Sequence, residues 1–232
     1  MNQHIPVITV DGPSGSGKGT ICKLLAEATG YSLLDSGALY RLTALACIKA
    51  GVNTADESQV TQQAQQLQIE FKVTPAQVLV LLAGQDVTQA IREEVVGMTA
   101  STVAAYPAVR EALLQRQRNF QQAPGLVADG RDMGTVVFPA APLKIFLTAS
   151  AEERARRRVK QLEEAGVKGV NSEKILQDIQ ARDERDQNRS AAPLIPAADA
   201  LVLDSTQMSI TEVHNSIMAE AKSRKLLAAG EN

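Results

Sequence analysis

The sequence predicts an α/β fold with a parallel sheet and a phosphate-binding loop on its first strand, and three observations carry that prediction. The run Ile5-Pro6-Val7-Ile8-Thr9-Val10 enters Asp11-Gly12-Pro13-Ser14-Gly15-Ser16-Gly17-Lys18-Gly19-Thr20, after which Ile21, Leu24 and Leu25 recur at helical spacing. Strand, glycine-rich turn and helix in that order are the context a phosphate loop requires. Short apolar runs at 31–34, 125–128, 143–148 and 200–203 then alternate with helical patterns, which implies crossover helices and parallel strands. The third observation is composition: 232 residues, 44% of them hydrophobic, with a net charge of −2, form a core and exclude a disordered chain.

In the loop, glycines let successive N–H groups converge on one anion, and the helix beginning near Lys18 adds its positive end. Lys18 supplies a mobile charge for the β- and γ-phosphates. The hydroxyl that usually follows such a lysine stands one place later, at Thr20, with Gly19 in its position. Direct coordination of Mg²⁺ by a loop side chain is therefore not implied, and no residue is assigned as a metal ligand.

Composition also narrows the partners. Aromatic residues are 3% of the chain and Trp is absent, which argues against a stacking platform for nucleic acid. Cys22 and Cys47 read as buried apolar side chains in a reducing compartment. The start runs straight into a strand, and no apolar run approaches the roughly 20 residues of a membrane span. The expectation is a cytoplasmic protein without nucleic-acid or membrane partners, and a monomer.

Along the chain, the strand at 31–34 and a helix over 38–50 place Ser36 and Arg41 near a strand's carboxyl end, where ligands of parallel sheets bind. A helix cap and a solvated arginine are equally open readings there. A Gln-rich helix over 57–67 and strands at 69–73 and 78–82 resemble a small antiparallel insertion, a candidate substrate-side flap. Helices are expected over 87–103 and 107–120, with Arg116 and Arg118 on a solvent face. The strand at 125–128 opens into Asp129-Gly130-Arg131-Asp132, a group of charges that needs Mg²⁺ or substrate as partners.

The helix from Ala151 places Arg156 and Arg157 for surface pairs with Glu152 and Glu153, while Arg154 and Arg158 are better placed to reach inward. Gly166 and Gly169 mark the tip of a lid or an ordinary loop. On the next helix Ile175 and Ile179 share a face with Arg182, Arg185, Asp186 and Arg189, so a core stripe turns to charge over a cleft. A strand at 200–203 and a helix over 210–227 close the chain. His4 and His214 are given no catalytic role.

Several arginines suit a second phosphate, because guanidinium matches phosphate oxygens in two-point contacts. A phosphate acceptor is already anionic and needs no base. An alcohol acceptor, with Asp35, Asp129 or Asp132 as base, remains open. A nucleotide switch should carry a guanine-reading NKxD run, which the sequence lacks.

Five segments together give a closer match: Gly-Pro-Ser-Gly-Ser-Gly-Lys-Gly-Thr at 12–20, Leu-Asp-Ser-Gly-Ala-Leu-Tyr-Arg at 34–41, Val-Ala-Ala-Tyr-Pro-Ala-Val-Arg at 103–110, Ala-Asp-Gly-Arg-Asp-Met-Gly-Thr at 128–135 and Arg-Asp-Glu-Arg-Asp-Gln-Asn-Arg at 182–189. The sequence resembles the bacterial-type cytidylate kinases of the nucleoside monophosphate kinase family. That resemblance implies a three-layer P-loop domain over 1–232 with a five-stranded parallel core. It also implies an inserted nucleoside monophosphate-binding region at about 53–105 and a short lid at about 154–172. The reaction it implies is transfer of the ATP γ-phosphate to CMP or dCMP, with Mg²⁺ held mainly through phosphates and water; a kinase for UMP or an alcohol is the alternative. Carried onto matching positions, Gly12, Pro13, Ser14, Gly15, Ser16, Gly17, Lys18, Gly19 and Thr20 would hold ATP. Arg41, Arg131 and Arg189 would hold the acceptor phosphate, Ser101, Arg110 and Asp132 would read cytosine, and Ser36, Arg182 and Asp186 would address the rest of the nucleotide. Lys18, Arg131 and Arg158 are the implied catalytic groups, with Arg154 the second choice for the lid.

Overall fold

A computed structural model describes residues 5–73 and 78–227, so His4 lies outside the described residues. The chain forms two compact units, one from the residues up to Asp35 and from Arg118 onward, the other Ser36–Gln117.

The first unit is built on a five-stranded sheet of β1 (Val7–Asp11), β2 (Ser32–Asp35), β6 (Leu126–Gly130), β7 (Leu143–Thr148) and β8 (Leu201–Asp204), in spatial order β2-β6-β1-β7-β8. All four pairings are parallel. Every residue of β1 is buried, as the central strand of a sheet covered on both faces must be. Helices α1 (Lys18–Thr29) and α8 (Ile210–Ser223) pack together, and Ile21, Cys22, Leu25, Val213 and Ile217 join Ile8, Val10, Ile145 and Leu147 in one core. Helices α6 (Ala151–Glu164) and α7 (Ser172–Asn188) pack on each other. Ser150, Asn171 and Ser209 cap α6, α7 and α8 by accepting amide protons of the first turns.

The second unit holds α2 (Ser36–Ala50), α3 (Glu57–Gln66), α4 (Glu94–Val103), α5 (Pro107–Arg118) and an antiparallel sheet of β3 (Ile69–Val73), β4 (Val78–Leu82) and β5 (Gln85–Asp86). Leu39, Leu42, Val96, Ala100 and Val103 are buried where α2 packs on α4.

The single helix expected over 87–103 is corrected. The Val87 amide donates to the Val80 carbonyl, and the Thr88 hydroxyl accepts from the Val80 amide, both at 2.9 Å, so this segment's polar groups are committed to β4. A 3₁₀ turn at Ala90–Arg92 follows, and extended Glu93 (ψ 146°) separates it from α4. The helices expected over 107–120 and 210–227 end earlier, at Arg118 and Ser223. A π-helical turn at Met133–Val137, directly after Asp132, has no counterpart in the sequence expectations.

Candidate active site

The loop after β1 owes its shape to positions that exclude side chains. At Gly12 (φ +148°) a Cβ would fall 1.9 Å from the Leu147 carbonyl oxygen. Gly17 is left-handed (φ 94°) and accepts the first α-helical bond of α1 from the Ile21 amide at 3.1 Å. The amides of Lys18, Gly19 and Thr20 precede that bond and are thus left to an anion.

The loop is braced by side chains of the same unit. Ser16 Oγ donates to the Pro13 carbonyl (3.1 Å), Ser205 Oγ to the Ser16 carbonyl (3.3 Å) and Arg154 Nη1 to the Ser14 carbonyl (3.0 Å). Lys18 is buried, and its Nζ donates to the Pro13 carbonyl at 2.7 Å. Burial, then the Arg131 charge, lowers the Lys18 pKa to about 8, against the pull of Asp129. An anionic ligand would favour the charged form further and raise that pKa.

At the carboxyl end of β6, Asp129 sits in register with Asp35 on β2. Burial raises its pKa to about 6 and Asp35 adds to the rise, while Lys18 opposes it. Its Oδ2 lies 3.8 Å from where a Cβ on Gly19 would be, beside the phosphate loop. Arg131 Nε donates to Asp186 Oδ2 at 2.9 Å, and its Nη1 to the Gly130 carbonyl at 3.2 Å. Burial works to raise the Asp186 pKa, but the charges of Arg131, Arg182 and Arg189 hold it below its usual value. These four residues therefore form one cluster, as the face arithmetic on α7 anticipated for three of them. Asp132 is buried next to Arg131. Within this unit, Lys18, Asp129, Arg131, Asp186, Arg182 and Arg189 are electrostatically linked.

In the second unit, Ser36 opens α2, and its Oγ donates to Gln117 Oε1 at 2.7 Å. Arg41 Nη1 donates to the Ile91 carbonyl at 2.9 Å, and a Cβ on Gly97 would sit 3.0 Å from the same nitrogen. Arg110 is buried over the Tyr40 ring, 5.5 Å from its centroid, with Nη1 donating to the Ala104 carbonyl at 3.0 Å. Ser101 Oγ is buried with no hydrogen-bond partner among the described residues. A buried hydroxyl without a partner costs roughly 1–3 kcal/mol, which a ligand group can recover.

Some arginines differ from expectation. Arg154 is spent on protein: besides Ser14 it pairs with both carboxylate oxygens of Asp183 and donates to the Ala149 carbonyl at 2.9 Å. Arg157 pairs with Glu153 but also reaches Ser205, donating to its carbonyl at 2.6 Å. Arg158 donates to Gln161 on its own helix at 2.9 Å. Arg116 and Arg118 hold the Leu67 and Val137 carbonyls, each at 3.1 Å, because a long side chain from a solvent face can still reach nearby backbone. Arg185, on the charged face of α7, has Nε and Nη2 buried without an acceptor among the described residues.

Among the described residues no group of three or more His, Cys, Asp or Glu is placed to hold a metal. One buried carboxylate, Asp129, beside a phosphate loop suits Mg²⁺ bound through phosphates and water.

A parallel sheet carrying this loop at its central strand, with an arginine cluster at the same edge, defines a P-loop kinase. The family model for cytidylate kinase matches residues 8–223. A cytidylate kinase of Saccharophagus degradans is 68% identical over 220 residues, covering 95% of this chain and 98% of that protein. One of Pectobacterium carotovorum is 59% identical over 228 residues, covering 98% and 100%. The chain belongs to the cytidylate kinase family. Among solved structures, TT1252 from Thermus thermophilus is 20% identical with a TM-score of 0.46, covering 97% of this chain and 100% of that one.

The sequence assigns no role to the Asp11 and Gln117 side chains and places Arg157 only as a surface partner of a glutamate. Asp11 borders the loop, but only the fold shows what its side chain meets.

Proposed function

We propose that this chain transfers the γ-phosphate of ATP to CMP or dCMP, giving ADP and CDP or dCDP. The observation that carries the acceptor half is the cluster around Asp186: a buried carboxylate among Arg131, Arg182 and Arg189 holds guanidiniums in place for a second anion.

The loop 12–20 takes the ATP phosphates on its amides, and Lys18 swings from the Pro13 carbonyl to the β- and γ-phosphates. Asp129 would orient water around Mg²⁺ held mainly through the phosphates, and the ion would supply charge neutralisation there. An acceptor phosphate oxygen forms the new P–O bond as the bond to the ADP oxygen breaks, and no protein base is required. Arg131 and Arg189 in the first unit, and Arg41 in the second, bind the acceptor phosphate. Asp186 and Arg182 address the rest of the nucleotide, including the sugar hydroxyls, with Ser36 contributing from α2. For the base, Asp132 and Ser101 accept from the exocyclic amine of cytosine and Arg110 donates to its N3. Uracil reverses both groups and leaves buried atoms unpaired. Arg158 is the lid group for the transferring phosphoryl, the lid spans about 154–172, and about 53–105 is the nucleoside monophosphate-binding region. The two buried free cysteines support a reducing, cytoplasmic location, and we assign the chain as a monomer without nucleic-acid or membrane partners.

Initial rates with ATP and Mg²⁺ against CMP, dCMP, UMP and AMP test the reading. CMP and dCMP should lead. Equal rates with UMP would remove the cytosine reading, and no turnover with any of the four despite ATP binding would remove the nucleoside monophosphate kinase reading in favour of an alcohol kinase or a nucleotide switch.

A further inference from the structure

Asp11 is the last residue of the central strand and the residue before the phosphate loop, and it is 5% exposed. Its backbone lies in register with Gly130, at the end of β6. Its side chain goes further along the same segment: Oδ1 accepts the Met133 amide and Oδ2 the Gly134 amide, both at 2.8 Å. Those are the first two amides of the π-helical turn, which otherwise have no acceptor one turn earlier. Arg131 and Asp132 are therefore held at both ends, by Asp11 backbone pairing before them and by the Asp11 carboxylate after them. Asp132, at φ −145° and ψ 22°, is held in an irregular conformation between these anchors.

We infer that Asp11 is a positioning residue for the acceptor nucleotide: its carboxylate fixes the turn that aims Arg131 and Asp132, and so governs cytosine selectivity as well as CMP affinity. The inference rests on the proposed roles of Arg131 and Asp132. A carboxylate suits this task where an amide does not. It offers an acceptor oxygen to each of two parallel N–H groups; burial pushes its pKa up to about 7, and the Gly134 and Met133 amides, with the Lys18 charge, pull the other way and favour the ionised form that both bonds need. The Asn amide offers one oxygen and turns an NH₂ toward the second N–H, so one end of the turn is released. The same residue enters the donor loop through Gly12, so a donor-only role is the competing explanation, and kinetics separates the two.

The experiment compares Asp11→Asn with the parent enzyme, using ATP and Mg²⁺ with CMP or UMP. KM for CMP should rise about tenfold and the CMP-over-UMP preference in kcat/KM should fall several-fold, while KM for ATP stays within about twofold. A rise in KM for ATP alone, or an unchanged KM for CMP and unchanged preference, would overturn the inference. Gly134→Ala approaches the turn from its other side, since the new Cβ would meet Thr9 Oγ1 at 2.9 Å and Lys144 Cδ at 3.1 Å. It should give the same split, and a parent-like split would count against the inference. Asp132→Ala separates the two readings. If it leaves CMP affinity and preference intact, the acceptor reading fails and this one with it. If it changes them and Asp11→Asn does not, this inference alone fails. Should both turn variants misfold, hydrogen exchange in the unmutated protein decides. The Met133 and Gly134 amides should be protected as strongly as those of β6, and rapid exchange at both would overturn the inference.

Discussion

Helices α6 and α7 are both rich in arginine and pack on each other, yet they use it in opposite ways. On α6, Arg154 meets the Asp183 carboxylate and the carbonyls of Ser14 and Ala149, while Arg157 meets Glu153 and Ser205. These guanidiniums brace the donor loop and are consumed in doing so. On α7, Arg182 gathers around Asp186 with Arg131 and with Arg189, which caps the helix and donates to the Ala192 carbonyl at 2.6 Å, while Arg185 buries two N–H-bearing nitrogens without a protein acceptor among the described residues. Burying charge without full hydrogen bonding is costly, so α7 gives up stability that a bound anion can return. Arginine count alone does not distinguish a brace from a binding surface; what the protein has already placed opposite each guanidinium does.

The largest expected effect comes from breaking the brace. Arg154→Met leaves Asp183 without its bidentate partner in a site where the arginine is 4% exposed and the aspartate side chain 17% exposed. Losing one member of a buried pair typically costs about 3–5 kcal/mol. Thermal or urea denaturation should show a loss of that order, with weakened ATP binding because the Ser14 carbonyl loses its donor. A variant as stable as the parent would mean that α6 does not brace the loop.

Arg185→Met tests the other side of the contrast. Arg185 is half-buried, with Nε and Nη2 buried and without an acceptor among the described residues, so removing it should leave stability unchanged or slightly higher, while kcat/KM falls by roughly tenfold to a hundredfold. Denaturation and steady-state kinetics on the same preparation separate the two effects. If this variant lost as much stability as Arg154→Met, the two helices would not differ in kind.

Much of this contrast was open to sequence reasoning, but unevenly. The strand, loop and helix at 5–25 were legible because glycine placement and apolar spacing act locally, and the charged face of α7 followed from helical geometry. The break near Glu93 was not legible, because it depends on Val87 and Thr88 bonding to Val80 on a neighbouring strand. Arg154 and Arg157 show a similar limit. Helix-face arithmetic separated them as inward and surface residues, yet both reach protein carbonyls, since an arginine's reach exceeds the width of a face. Asp11 was hidden for a related reason: its two amide partners lie 122 and 123 residues away. Family resemblance supplied the base and phosphate assignments, which no spacing rule yields.

The smallest expected effect lies at the exposed edge of α6, where Glu153 accepts from Arg156 and Arg157. The Arg156 hydrogen bond, with burial opposing and Arg157 adding, lowers the Glu153 pKa from 4.5 to about 2. A carboxyl whose folded pKa is depressed binds fewer protons when folded than when unfolded between those two values. Its stabilisation is therefore complete above about pH 5, declines as pH falls through that window and is gone below about pH 2. Arg156 is 67% exposed, so solvent screening limits the benefit to the range of surface pairs, about 0.2–1 kcal/mol. Glu153→Gln should lower stability by that amount at pH 7, and the difference from the parent should shrink toward zero as acid approaches pH 2. A deficit that persists undiminished in acid would show that the α6 edge is held by packing of the side-chain stems, and that only the inner arginines of this helix act through charge.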